Sequence, residues 1–152
     1  MSVALVRDIA ASHRGQRGAL LPILHAVQEA LGCVPPEAIP VLADELNLSR
    51  ADVHGVVSFY HDFRSAPAGR TVVRICRGEA CQALGAERLV SHLQDACGMS
   101  LGETSPDGSL TVEQVFCLGN CALGPAAQVN GRLRGRLDEA RLTSIFDEAV
   151  AR

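Results

Sequence analysis

The chain of 152 residues contains no lysine: all 14 basic residues are arginine, set against 17 acidic ones for a net charge of −3. A basic face is the electrostatic footprint of nucleic-acid binding. Neither part of the chain has one, since residues 1–69 hold five Arg against seven acids and residues 70–152 hold nine against ten. Without lysine there is no Walker loop, and neither Gly-x-Gly-x-x-Gly nor His-Glu-x-x-His occurs, so no nucleotide site of the chain's own is expected. Long apolar runs are missing too. The longest near the N-terminus covers residues 19–24 and includes Pro22, against about 20 residues for a membrane-spanning helix. The opening Met-Ser-Val-Ala-Leu-Val-Arg-Asp shows no basic leader followed by an apolar core, so a cytoplasmic chain with reduced thiols is expected. Aromatics are scarce, yet Phe59, Tyr60 and Phe63 fall within five positions.

What is present reads as a folded protein, with 47% apolar and 20% charged residues. Leu20, Ile23, Leu24, Val27 and Leu31 recur at helical spacing, stopped by Gly32 and Pro35-Pro36. Ile39, Leu42 and Leu46 suggest a second helix. Ser49 with Asp52 forms a capping-box signature for a third, running to about Phe59. Residues 1–66 therefore read as a small helical bundle, short of core and expected to bury its apolar face elsewhere. Ser65-Ala-Pro-Ala-Gly69 is a boundary. Residues 70–152 then read as β-α-β-β-β-α: strands at 71–76 and 110–116, a helix at 84–97, a hairpin of 126–129 and 132–137 about Asn130-Gly131, and a closing helix at 138–149. The first two strands are expected to be parallel, joined by a right-handed crossover. The fold class is mixed α+β or α/β.

Six cysteines in a reducing compartment point to metal or catalysis. Cys76 and Cys81 have four residues between them, Cys117 and Cys121 three, and 35 residues separate the pairs. Each pair starts where a strand ends. Parallel strands joined by a crossover finish on one sheet edge, so two loops with two thiols each face one another and form one four-thiolate site. Structural zinc favours Cys-x-x-Cys knuckles, which neither pair has. A [4Fe–4S] ferredoxin packs three cysteines in one short run, and a Rieske centre needs histidines between them; both are excluded. A [2Fe–2S] cluster, with two thiolates per iron, fits best, while zinc stays open. Gly78, Gly85, Gly119 and Gly124 flank the thiols and let backbone N–H groups approach sulfur. Arg74 and Arg77 are expected to offset the cluster's negative charge.

The stretches Cys76-Arg-Gly-Glu-Ala-Cys81, Thr104-Ser-Pro-Asp-Gly108 and Cys117-Leu-Gly-Asn-Cys121-Ala-Leu-Gly-Pro125 resemble the thioredoxin-like [2Fe–2S] ferredoxins. With Val53-His-Gly-Val-Val-Ser-Phe-Tyr-His-Asp-Phe63, residues 15–150 resemble the small iron–sulfur subunits of NADH dehydrogenases (the 24 kDa subunit of complex I) and their relatives in NAD-reducing hydrogenases and NAD-dependent formate dehydrogenase. The wording of the second cysteine loop is most similar to the formate dehydrogenase gamma subunit. The resemblance implies a helical bundle before a thioredoxin-like domain, and a non-catalytic electron carrier. It implies one iron on Cys76 and Cys81 and the other on Cys117 and Cys121. It further implies a partner flavoprotein holding FMN, NAD and a [4Fe–4S] cluster, and through it a molybdenum-containing formate dehydrogenase subunit. Two departures stand out: Ala80, where relatives often have Pro, and Gly124, where many have Ala.

The competing classes are a zinc-stabilised interaction module and a thiol oxidoreductase, the latter disfavoured by the lack of Cys-x-x-Cys. Cys33 and Cys97 read as buried apolar thiols. The histidines at 13, 25, 54, 61 and 92 show no ligand spacing and read as surface or capping residues. Phe59, Tyr60 and Phe63 read as core between the two parts, or else as an anchor for the flavin-bearing partner. Arg132, Arg134 and Arg136 read as one solvated strand face, with Leu133 and Leu137 on the other, or as a dock for an acidic patch.

Overall fold

The computed structural model describes residues 3–151, apart from the side chain of Cys97. It divides into two compact units, Met1–Pro67 and Ala68–Arg152.

The first unit has helices α1 (Val3–Ser12), α2 (Leu20–Leu31), α3 (Ala38–Leu46) and α4 (Arg50–Phe59). Gly32 ends α2 in the left-handed region at φ 77°, its N–H donating to the Gln28 carbonyl. Ser49 caps α4 with the full reciprocal pair: its hydroxyl accepts from the Asp52 N–H, and Asp52 accepts from the Ser49 N–H. Helix α1 is missed by the sequence reading, although Val3, Val6 and Ala10 follow helical spacing. It supplies Val6 and Ala10 to a core with Ile23, Leu24, Val27, Leu42 and Val53. That addition corrects the expectation of a bundle too small for its own core.

The second unit has a sheet in the order β2-β1-β3-β4. Strand β1 (Thr71–Cys76) pairs in parallel with β2 (Leu110–Val115), from Thr71 opposite Leu110 to Cys76 opposite Val115. On its other side β1 pairs antiparallel with β3 (Ala127–Val129), which pairs with β4 (Arg132–Arg134) through the Asn130-Gly131 turn. Both turn residues have positive φ, 46° and 81°, as a two-residue hairpin of matching twist requires. Helices α5 (Glu79–Ala83), α6 (Ala86–Cys97) and α7 (Glu139–Val150) complete the unit. One sheet face carries Val73, Ile75, Val112 and Ala127 into a core with Leu89 and Leu93 of α6 and Leu142 and Phe146 of α7. The fold is the mixed helix-and-sheet class read from the sequence.

Two local readings change. The helix expected at 84–97 is α6, and a short helix that the sequence reading lacks, α5, precedes it, with Gly85 at φ 100° between them. The second hairpin strand stops at Arg134: Leu133 is exposed, Leu137 is buried beyond the strand, and Arg136 has left strand geometry at φ 51°. Among the described residues no helix is long and apolar enough to cross a membrane.

Candidate metal centre

Both cysteine loops leave the same end of the β1–β2 ladder. The Cys76 N–H donates to the Ala126 carbonyl and the Arg77 N–H to the Val115 carbonyl, so β1 is held on both sides up to its first thiol. The chain then turns at Gly78 into α5, which buries Cys81. The second loop follows β2. Cys117 sits at φ 85°, a left-handed conformation costly for a residue with a side chain. Cys121 opens a 3-10 turn, Cys121–Leu123, and Gly124-Pro125, a cis peptide, leads into β3.

The four thiols form two pairs. Cys117 and Cys121 have their Sγ atoms 3.9 Å apart and are exposed. Two sulfurs bound to one tetrahedral metal at about 2.3 Å lie about 3.8 Å apart, so this pair has the reach of one metal ion. Cys76 and Cys81 are both 2% exposed and are hydrogen-bonded to each other. The pairs adjoin. Burial pushes the Cys76 thiol up, but N–H donors on Gly78, the Cys81 thiol, and the N–H groups of Leu118 and Cys117 outweigh it and hold Cys76 below its ordinary value. Amides of the second loop thus point at a sulfur of the first. Cys81 is pushed up by burial, by its hydrogen bond to Cys76 and by the negative charge of Cys76 and Cys121, against one N–H from Ala126. Cys121 is pushed up by its hydrogen bond to Cys117 and by that thiol's charge.

This donor set fits a dinuclear group. A [2Fe–2S] cluster takes two thiolates at each iron, which two adjoining thiol pairs can supply. Room for close approach is built in. A Cβ on Gly78 would lie 3.3 Å from the Cys117 nitrogen, and one on Gly124 would lie 3.4 Å from the Cys81 Sγ. At Gly124 the tightest neighbour, 2.8 Å away, is the flexible end of Leu84, so alanine fits there with a side-chain swing. Ala80 stands in the first turn of α5, where a helix N–H has no partner and proline is tolerated. Both departures from the family pattern are therefore locally cheap.

The expected charge compensation by arginine is corrected. Arg74 Nε donates to Glu113 at 2.9 Å, and Arg77 donates to Glu87 at 2.8 Å and to Gln114 at 3.0 Å. Both guanidinium charges are matched by carboxylates, and the donors aimed at sulfur are backbone amides, including Gly119 N–H on Cys117 Sγ at 3.4 Å.

Other candidates fall elsewhere. Cys33 is buried in the helical unit, its thiol pushed up by burial and then by Glu37. The Cys97 side chain lies outside the described residues. His13 bonds the Ile9 carbonyl, His92 bonds the Thr143 hydroxyl, and His25 packs on Phe63. Phe63 is core within the first unit, while Phe59 is 73% exposed and Tyr60 is 42% exposed. The sequence reading also missed an apolar rim beside the thiols. Phe116, read as the last strand residue, is 68% exposed next to Cys117, and Leu84 and Leu123 are 50% and 40% exposed. Apolar residues touching cysteine-bearing loops were the available signal.

Residues 6–150 match the family model described as thioredoxin-like [2Fe–2S] ferredoxin. A subunit of the NADH-quinone oxidoreductase of Rhizobium meliloti is 35% identical over 142 residues, covering 93% of this chain and 84% of that protein. The HndA subunit of the NADP-reducing hydrogenase of Solidesulfovibrio fructosivorans is 32% identical over 133 residues, covering 88% and 78%. Among solved structures, an air-oxidized NAD+-reducing [NiFe]-hydrogenase superposes with TM-score 0.72 at 28% identity over 88% of this chain, which spans 23% of the hydrogenase chain. The fold and these matches define an iron–sulfur protein. The chain belongs to the thioredoxin-like [2Fe–2S] ferredoxin family.

Proposed function

We propose that this chain is the electron-transfer subunit of an NAD-linked oxidoreductase complex, working in the cytoplasm. It holds one [2Fe–2S] cluster through Cys76, Cys81, Cys117 and Cys121 and exchanges electrons with FMN on a partner flavoprotein that also binds NAD and a [4Fe–4S] cluster. The observation that carries this is the adjacency of a buried thiol pair and an exposed one, with Gly78 of the first loop close against the Cys117 backbone and Gly124 of the second close against the Cys81 sulfur. The cluster would supply one-electron storage. Cys76 and Cys81 anchor the protein side, backbone amides stabilise negative charge on sulfur, and Cys117 and Cys121 present the other side to the partner. Phe116, Leu84 and Leu123 give that partner an apolar rim to desolvate.

For the parent complex we favour an NAD-dependent formate dehydrogenase, formate and NAD+ giving CO2 and NADH, with the molybdenum-containing subunit reached through the flavoprotein. The wording of residues 117–125 supports that reading. The 35% identity to a protein of an NADH-quinone oxidoreductase supports a second, the equivalent place in a respiratory complex, and the hydrogenase matches extend it to NAD-reducing hydrogenases.

Electron paramagnetic resonance of the anaerobically reduced protein, quantified against iron and acid-labile sulfide, tests the cluster. Two irons, two sulfides and one unpaired electron per chain are expected. A silent spectrum with one zinc per chain would replace the carrier by a structural metal module.

A further inference from the structure

Glycine 135 lies 14 residues beyond Cys121 in sequence, outside every motif that marks the metal centre. Its φ is not in the left-handed range, so backbone conformation does not call for glycine there. Space does. A Cβ on Gly135 would stand 2.7 Å from the Leu123 carbonyl oxygen, 2.8 Å from the Leu123 Cβ and 2.9 Å from the Asn120 Nδ2. Non-bonded carbon atoms rest at about 3.5–4.0 Å, and two of these three neighbours are backbone oxygen and Cβ, which cannot swing aside. The neighbours bracket a ligand: Asn120 precedes Cys121, and Leu123 ends the 3-10 turn that Cys121 opens.

The residues after Gly135 tie the same turn down. The Arg136 N–H donates to the Leu123 carbonyl at 2.6 Å, and the Leu137 N–H donates to the Pro125 carbonyl at 3.0 Å. Leu137 is itself 6% exposed in the core of the second unit. The turn is internally braced, with Leu123 N–H on the Asn120 carbonyl at 3.0 Å and Gly124 N–H on the Cys121 carbonyl at 3.2 Å. A push at Gly135 therefore moves Cys121 with the whole turn, relative to Cys117 and to the buried pair.

We infer that Gly135 is a positioning residue for the [2Fe–2S] site: the segment 135–137 clamps the turn of Cys121 from outside and sets where its sulfur stands. This rests on the cluster reading above. The test compares the full-length wild type with Gly135→Ala and Gly131→Ala, each reconstituted with iron and sulfide. Gly131 is in the same hairpin with φ 81° and nothing within 4 Å of a Cβ, so its alanine strains the hairpin without touching the turn. Gly135→Ala is expected to lose the cluster to a chelator about 10–100-fold faster, as for groups one layer out from a metal, and to change the reduced spectrum and midpoint potential. Gly131→Ala is expected to lower thermal stability and leave both readouts at the wild-type value. Equal behaviour of the two variants would reduce Gly135 to a folding role and overturn the inference. A wild type that takes up no [2Fe–2S] cluster would overturn the cluster reading and the inference with it.

Should Gly135→Ala fail to fold, amide exchange in the wild type reads the same coupling. The Arg136 and Leu137 N–H groups are expected to exchange more slowly once the cluster is bound. Identical exchange with and without it would overturn the clamp.

Discussion

Arg74 and Glu113 stand opposite each other on neighbouring parallel strands, joined by a 2.9 Å ion pair with both side chains about one-quarter exposed. The pairing takes the guanidinium charge out of the cluster's account. Arg74→Gln is expected to cost about 1 kcal/mol or less, as for a partly exposed ion pair, read as a small drop in thermal midpoint. The visible spectrum and midpoint potential should stay at the wild-type value. A large potential shift would show that Arg74 acts on the cluster after all.

Cys121→Ser exchanges one thiolate of the exposed pair for a much weaker ligand. Because ligand binding is coupled to folding, the variant is expected to retain less than half the wild-type iron and to expose the 117–125 loop to protease. Cys33→Ser, in the other unit, should keep full iron content and an unchanged spectrum. Iron and sulfide analysis of the two proteins side by side decides the assignment.

Asp107 accepts from the Ser105 hydroxyl at 2.6 Å, the Ser109 N–H at 3.1 Å and the Ser109 hydroxyl at 2.8 Å. These bonds, the Ser105 hydroxyl first, hold its carboxyl down from 3.8 to about 2. A group depressed in the folded state contributes stability that is fully present above its unfolded value and lost as pH falls through the folded one. The 105–109 turn is therefore expected to keep its structure to near pH 3 and to loosen toward pH 2. Carboxyl-carbon resonance titration should place the Asp107 midpoint well below the ordinary aspartate value of 3.8, at about 2. A midpoint at the ordinary value would contradict the turn geometry.

Phe116→Asp alters an exposed side chain next to Cys117. Folding and iron content should be unaffected, since the ring contributes little to the core. Electron exchange with the flavin-bearing partner is expected to fall about tenfold or more, the scale of losing one interface anchor, measured by stopped-flow reduction of the reconstituted pair. An unchanged rate would place the docking surface away from the thiols.

Much of the second unit was legible locally. The strand at 71–76, the Asn130-Gly131 hairpin turn and the Ser49–Asp52 cap of the first unit depend on neighbours within a few residues, and those interactions survive in the folded state. Helix α5 was less visible: its five residues, Glu79–Ala83, are too few to show a helical period, and Gly85 separates it from α6. Helix α1 carried a usable signal in Val3, Val6 and Ala10, without a cap to announce it. The even alternation of arginine and leucine at 132–137 suggested a longer strand than exists. Clamping the cysteine turn takes residues 135–137 out of the ladder.

By itself the sequence determined the number and spacing of the thiols, the order of the strands along the chain, and the helices with a clear apolar period. These are properties of short stretches, governed by residue chemistry and periodicity. Only the tertiary structure decided which thiols are buried and which exposed. It also decided that Arg74 and Arg77 answer carboxylates, and that a glycine outside every motif abuts the turn of Cys121. Those outcomes depend on distances between segments far apart in the chain. Such distances are set by close packing of the whole unit, which no local pattern encodes.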